Sequence, residues 1–260
     1  MRYLRIYKQI LSLNMTALMI YRANFYNSLV ASFIWGSFHI INMLILSNAT
    51  KSIYGWSRSE LLLLTATYSI SFGLFSMLFS RNFSRLSILI DNGSLDGLLI
   101  KPLDSQFLVS VGQVNYTALV RSVLGIILLA YLVNTIHFSF NFLQIFIYIL
   151  LILCGIVLTY CIWLMVSTLL IWLPRLSNLI DLLHFLSGTG RYPTEMFSQY
   201  RVLSVLFFPL TIAITIPAKS LLQRAFVGDY VWLIVVTGLF FMLTRAFWLF
   251  ALRSYTSANS

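Results

Sequence analysis

From position 142 to position 173 the chain holds no Asp, Glu, Lys or Arg. Few folds accept a stretch of that length and polarity. As a helix rising about 1.5 Å per residue, it is long enough to cross a hydrocarbon layer of about 30 Å, with tilt absorbing the excess. Further apolar runs fill 25–46, 61–80, 117–136 and 230–252, and shorter ones fill 176–187 and 202–217. Only 9% of the 260 residues are charged, against roughly 25% in soluble domains. A soluble core of this size needs a charged shell, which this chain lacks. The expected fold is all-α, a polytopic membrane bundle of about six crossings.

The formal net charge is +10, from 17 basic and 7 acidic residues. Basic residues scattered singly between apolar runs form no stripe that could track phosphates, so nucleic acid is excluded as a partner. A positive-inside bias explains them better. With a cytoplasmic N-terminus, Arg2, Arg5, Lys8, Arg22, Arg81, Arg85, Lys101, Arg175 and Arg253 lie inside. Lys51, Arg58, Arg191, Arg201, Lys219 and Arg224 lie outside, and Arg121 and Arg245 are expected to snorkel inward. Both termini are then cytoplasmic. Trp56 and Trp232 fall near the outer interface and Trp172 and Trp248 near the inner one, as an aromatic belt.

Residues 1–24 carry Arg2, Arg5, Lys8 and Arg22 interleaved with Leu4, Tyr7, Leu11, Met15 and Leu18. That spacing predicts an amphipathic helix on the membrane surface. Residues 25–260 form a single transmembrane domain. Within it 188–229 is irregular: GTGRYPTEMFSQYR breaks one apolar run, Pro209 interrupts the next and Pro217 closes it. One span plus an outer re-entrant element is the expected outcome. Ser32/Gly36 and Ser69/Gly73 are small-xxx-small pairs, suited to packing between subunits or within one bundle.

The polar segment 81–106 stands out between the second and third spans. Phe83, Leu86 and Ile90 share a helical face, Asn92-Gly93 signals a turn, and Ser94 is placed to cap a short helix that Pro102 stops. Asp104 can cap the helix that follows. Such a segment suits either a helix lying on lipid or a knob that fits a cleft in another protein; the residues alone allow both.

Other polar residues carry weaker signals. Asp181 and His184 lie one helical turn apart in an apolar run, a candidate pathway or intramembrane ion pair; a position of Asp181 beside Arg175 is the plainer alternative. Glu195 beside Arg191 reads as a solvated pair. His39 and His137 show no metal spacing, and no metal site is expected. Cys154 and Cys161 share a helix face about 10 Å apart, beyond disulfide reach, and read as packing residues.

The string G-x-L-D-x-L-L-x-K-P-L-D-x-Q-F, from Gly93 to Phe107, resembles the signature of type-2 ABC transporter permeases of the bacterial export subgroup. Trp248, Leu252, Arg253, Tyr255, Ser257 and Ala258 resemble that family's C-terminal pattern. Tyr192-Pro193, Pro209-Leu210 and Pro217-Ala218 resemble its late YP, PL and PA pairs. The resemblance implies six transmembrane helices, a coupling helix between the second and third, and a re-entrant hairpin before the last. It also implies a bacterial plasma membrane exporter in which two permeases, alike or different, pair above separate ATPase subunits. ATP and Mg would be bound by those partners, because this chain has no G-x-x-x-x-G-K-[ST]. The coupling residues implied are Gly93, Leu95, Asp96, Leu98, Leu99, Lys101, Pro102 and Leu103, with the three leucines seated in the ATPase cleft. A secondary transporter is the competing expectation, though no internal repeat is apparent. A membrane enzyme would need a clustered polar set, and none is seen.

Overall fold

The second apolar run does not end where the bilayer would. In a computed structural model, which describes residues 2–49, 52–136, 141–173, 176, 178–197 and 201–255, it continues as one rod from Arg58 to Asp91. Helix α3 (Arg58–Phe75) passes through a π-helical turn (Ser76–Ser80) into α4 (Arg81–Asp91). Its 34 residues, at about 1.5 Å each, span about 51 Å, well beyond a hydrocarbon layer of about 30 Å. The rod is therefore longer than the hydrocarbon layer is thick. On α4 the expected face holds: Phe83, Leu86 and Ile90 are buried.

Helix α3 is the centre of the bundle, since every residue from 61 to 73 is buried. Three of its hydroxyls are paired along the helix, Thr65, Thr67 and Ser69 donating to the carbonyls of Leu61, Leu63 and Thr65, whereas Ser71 Oγ is buried without a hydrogen-bond partner. Around it lie α1 (Arg2–Ile20), α2 (Arg22–Ala49), α5 (Asp96–Leu99), α6 (Ser105–Val111), α7 (Leu119–Ile136) and α8 (Phe142–Thr168). The chain ends with α9 (Leu179–Ser187), α10 (Arg201–Leu221) and α11 (Val227–Ser254). A β-carbon on Gly73 would sit 2.2 Å from Ser122 Oγ on α7, and one on Gly36 of α2 would sit 2.8 Å from Leu124. Both small-xxx-small pairs thus serve packing within the chain. On the other side, Gly155 of α8 lies against the backbone of Ala213, where a β-carbon would come within 2.3 Å of the carbonyl oxygen.

Five helices among the described residues are long and apolar enough to cross a membrane: Arg22–Ala49, Arg58–Asp91, Tyr116–Thr135, Phe142–Ile171 and Val227–Ser254. Phe208–Leu221 is a shorter apolar helix. The region expected to be irregular is in pieces: α9, 3₁₀ turns at Gly188–Arg191 and Thr194–Met196, then α10. Pro217 does not close the helix as expected. It lies inside α10, and its carbonyl accepts a bond from the Ser220 hydroxyl at 2.7 Å.

Helix α1 bends at Tyr21 into α2, which starts slightly before the expected boundary. Its face is also rotated from the one expected: Tyr7, Leu11 and Leu18 turn to the bundle while Leu4 and Met15 are exposed. The Tyr116 hydroxyl bonds the Leu11 carbonyl and Tyr3 packs edge-on against Phe107 at 5.0 Å, so α1 is docked on the chain itself.

The loop between the first two spans is a hairpin of β1 (Ser52–Ile53) and β2 (Trp56–Ser57). Tyr54 and Gly55 both take positive φ, 50° and 80°, the geometry of a tight two-residue turn. Trp56 is not the interfacial anchor expected but a buried residue, 3% exposed. Its indole donates to Glu195, which pairs with Lys219 at 2.5 Å rather than with Arg191. One carboxylate thereby ties the hairpin, the 194–196 turn and the end of α10 together. His137 and Arg175 lie outside the described residues.

Candidate functional site

Beyond α4 the chain reverses in little more than a dozen residues. Gly93 takes φ 64°, a left-handed value that a side chain disfavours, and supplies the turn expected at Asn92-Gly93. The short helix α5 follows, but Ser94 does not cap it: Leu95 occupies the cap position and no side chain bonds the free N–H groups. The three leucines expected to face a partner are not equally presented: Leu98 and Leu99 are half-buried and pack against the core, and Leu95 is not exposed at all. A leucine sealed inside its own subunit cannot enter another's cleft. The exposed residues of the segment are Ser94, Gly97, Ile100, Lys101 and Pro102, with Ile100 84% exposed. Asp96 and Leu103 are half-buried.

What holds this turn to the bundle is a set of contacts with the far end of the sequence. Asp104 caps α6 as expected, accepting from the Phe107 N–H at 3.0 Å. Its carboxylate also takes two bonds from Arg245 of α11, at 3.1 and 2.5 Å, and Arg245 reaches Gln106 Oε1 at 3.0 Å. Burial alone would raise the Asp104 pKa, but the bonds from Arg245 and from the Phe107 N–H outweigh it and hold the carboxyl below the usual range. One turn on, the Trp248 indole donates to Ser105 Oγ at 3.1 Å from a fully buried position. Arg245 and Trp248 were expected to snorkel and to anchor at an interface; instead both clamp the 104–106 segment. Tyr255 closes the set. Its hydroxyl lies near the Asp96 carboxylate without a well-formed hydrogen bond, and burial and then that charge push the phenol up. The two motif regions, 93–107 and 248–255, are thus one place in the fold.

A second feature lies among the spans. A cavity of about 530 Å³ is bounded by α2, α3, α7, α9 and the 188–191 turn, and Arg121, Arg191, His39, His184, Tyr68 and Phe72 are among its walls. Arg121 does not snorkel; its side chain enters this cavity and its Nε is buried without a hydrogen-bond partner. The 3₁₀ turn brings Arg191 into the same space. Its Nε bonds the Gly188 carbonyl at 2.9 Å, its guanidinium meets His39 Nδ1, and it lies 5.7 Å from the Tyr68 ring centre. Asp181 and His184 do not form the ion pair considered: Asp181 is exposed, while the His184 ring packs edge-on against Trp163 at 4.7 Å. Among the described residues no cluster of His, Cys, Asp and Glu could hold a metal ion.

A helical bundle with apolar outer faces, such as Ile34, Phe146 and Val235, and with five helices long and apolar enough to cross a bilayer among the described residues, defines an integral multi-pass membrane protein. The family model described as ABC-2 family transporter protein matches residues 31–259, and the chain belongs to that family of ABC transporter membrane permeases. No curated protein and no solved structure gives a significant match.

Proposed function

We propose that this chain is the permease subunit of an ATP-driven exporter and that the 93–104 turn receives the stroke of a separate ATPase. The observation that carries the reading is the braced projection. A rod too long for the bilayer ends in an exposed tip, and that tip is fastened to α11 through Asp104–Arg245 and Ser105–Trp248. Force on Ile100 or Lys101 passes to both the second and the last span as a rigid-body displacement. The chain would do no hydrolysis; ATP and Mg would sit on the partner ATPase, and a second permease, alike or different, would complete the path. The tip and both termini would face the cytoplasm of a bacterial cell, with the hairpin and a re-entrant 188–229 region outside.

The test is a double change at the exposed tip, Ile100→Glu with Lys101→Glu, in a chain co-expressed with an ABC ATPase that co-purifies with the wild type. Retention of the ATPase on the purified permease is expected to fall on the order of tenfold or more, with transport lost and the melting temperature unchanged. Full retention and full transport would show the tip to be a lipid-surface element. Transport without any ATPase would return the reading to a secondary transporter.

A further inference from the structure

We infer that the cavity between α2, α3, α7 and the 188–191 turn is a binding site for an amphiphile with an anionic phosphate or carboxylate head. The inference deepens the transport reading by naming the class of cargo, and it rests on that reading only in calling the ligand cargo.

Three observations carry it. The first is charge. Arg121 and Arg191, which a distribution by membrane side would place at opposite ends, converge on one space, with His39 and His184 beside them. No carboxylate lines it, and neither arginine takes part in the three ion pairs found among the described residues. A guanidinium held among membrane-spanning helices is costly unless it finds a counter-charge. Arginine's planar fork matches phosphate and carboxylate oxygens two at a time.

The second is an open valence. Arg191 is already steadied by the Gly188 carbonyl, His39 and the Tyr68 ring, all neutral partners that fix its direction without cancelling its charge. Arg121 Nε is buried and bonds nothing. Two positive charges, one aimed and one unpaired, make a receptor for one anion. The third is the wall. Apart from those groups and the small Gly188 and Thr189 the lining is aromatic, with Tyr68 and Phe72 stacked at 5.4 Å, and exposed Trp35 and Phe185 at the rim. The volume is in the range of small-ligand pockets, about 300–1,000 Å³. A bare inorganic ion would leave that apolar wall unused, whereas an alkyl or aromatic tail would cover it.

The experiment uses the full chain purified in neutral detergent, without ATPase, so its outcome is independent of coupling. Dodecyl phosphate is titrated against the wild type and its dissociation constant compared with those of dodecyltrimethylammonium and inorganic phosphate. Dodecyl phosphate is expected to bind most tightly, with inorganic phosphate at least on the order of tenfold weaker and the cationic amphiphile showing no saturable binding. Arg121→Gln and Arg191→Gln should each weaken dodecyl phosphate by about tenfold, while Arg5→Gln, a charge outside the cavity, should not. If either glutamine variant fails to fold, the head-group comparison on the wild type decides alone. Equal binding of anionic and cationic amphiphiles, inorganic phosphate binding as tightly as dodecyl phosphate, or folded arginine variants with wild-type affinity would each overturn the proposal.

Discussion

Asp104 does two jobs with one carboxylate, and they can be separated. Asp104→Asn keeps one oxygen, which can still accept from both the Phe107 N–H and Arg245 Nη1, but gives up the charge and the second acceptor that Arg245 Nη2 uses; the pair is about a third exposed, so solvent screening limits the cost to about 1 kcal/mol. Asp104→Ala loses the cap and leaves Arg245 without its carboxylate, a cost of about 1–2 kcal/mol. Melting in detergent, with limited proteolysis at 92–104, should rank wild type, Asn and Ala in that order. The pKa gives the sign with pH. The folded value lies below the unfolded value of about 3.9. The contribution is therefore present in full above that unfolded value and is lost as pH falls through the lower folded one. The role of Asp104 as a cap was legible in the sequence, because capping is local: a carboxylate three residues before the N–H it accepts. Its partner was not, because 141 positions separate Asp104 from Arg245 and no periodicity links them. Arg121 was misread for a related reason. Near a span end an arginine can snorkel or turn inward, and only the packing of the neighbouring helices, which no local pattern encodes, distinguishes the two.

Among the helices, closeness is decided by glycines at crossings. Gly73→Ala and Gly155→Ala each drive a β-carbon into neighbouring backbone, at 2.8 Å from Ser122 N and 2.3 Å from the Ala213 carbonyl oxygen. Each should destabilise by about 1–3 kcal/mol. Gly238→Ala on α11 meets nothing within 4 Å and should be neutral or slightly stabilising through helix propensity. Thermal melting of the three variants checks the contrast. The long apolar runs showed where these helices lie, since length and absence of charge suffice for that. The run structure could not show that α3 is surrounded on all sides while α2 and α11 are open to lipid, because all three are apolar throughout. Nor could it grade the residues of α5: Leu95, Leu98 and Leu99 look equally presentable on a short helix, yet the reversal at Gly93 buries Leu95 and leaves Leu98 and Leu99 half-buried.

For the molecule as a whole, the reading depends on which end of the bundle faces the cytosol. A cysteine in place of Ile100, in a chain whose Cys154 and Cys161 are replaced by serine, should resist a membrane-impermeant maleimide in intact cells and react in inverted vesicles. Labelling in intact cells would put the tip on the wrong side for any ATPase. The overall architecture was readable because a bilayer imposes it, and the tie between the two ends of the sequence was not, because it is specific chemistry. One more consequence follows from the turn at Ser76–Ser80, where the rod briefly takes a wider winding than its neighbours. Each residue of a helix advances its facing by about 100°, so the number of residues in that stretch sets the angular phase between α3 and α4. Gain or loss of a single residue there would leave every side chain chemically intact and still swing Phe83, Leu86 and Ile90 away from their seats, uncoupling the two halves by rotation alone.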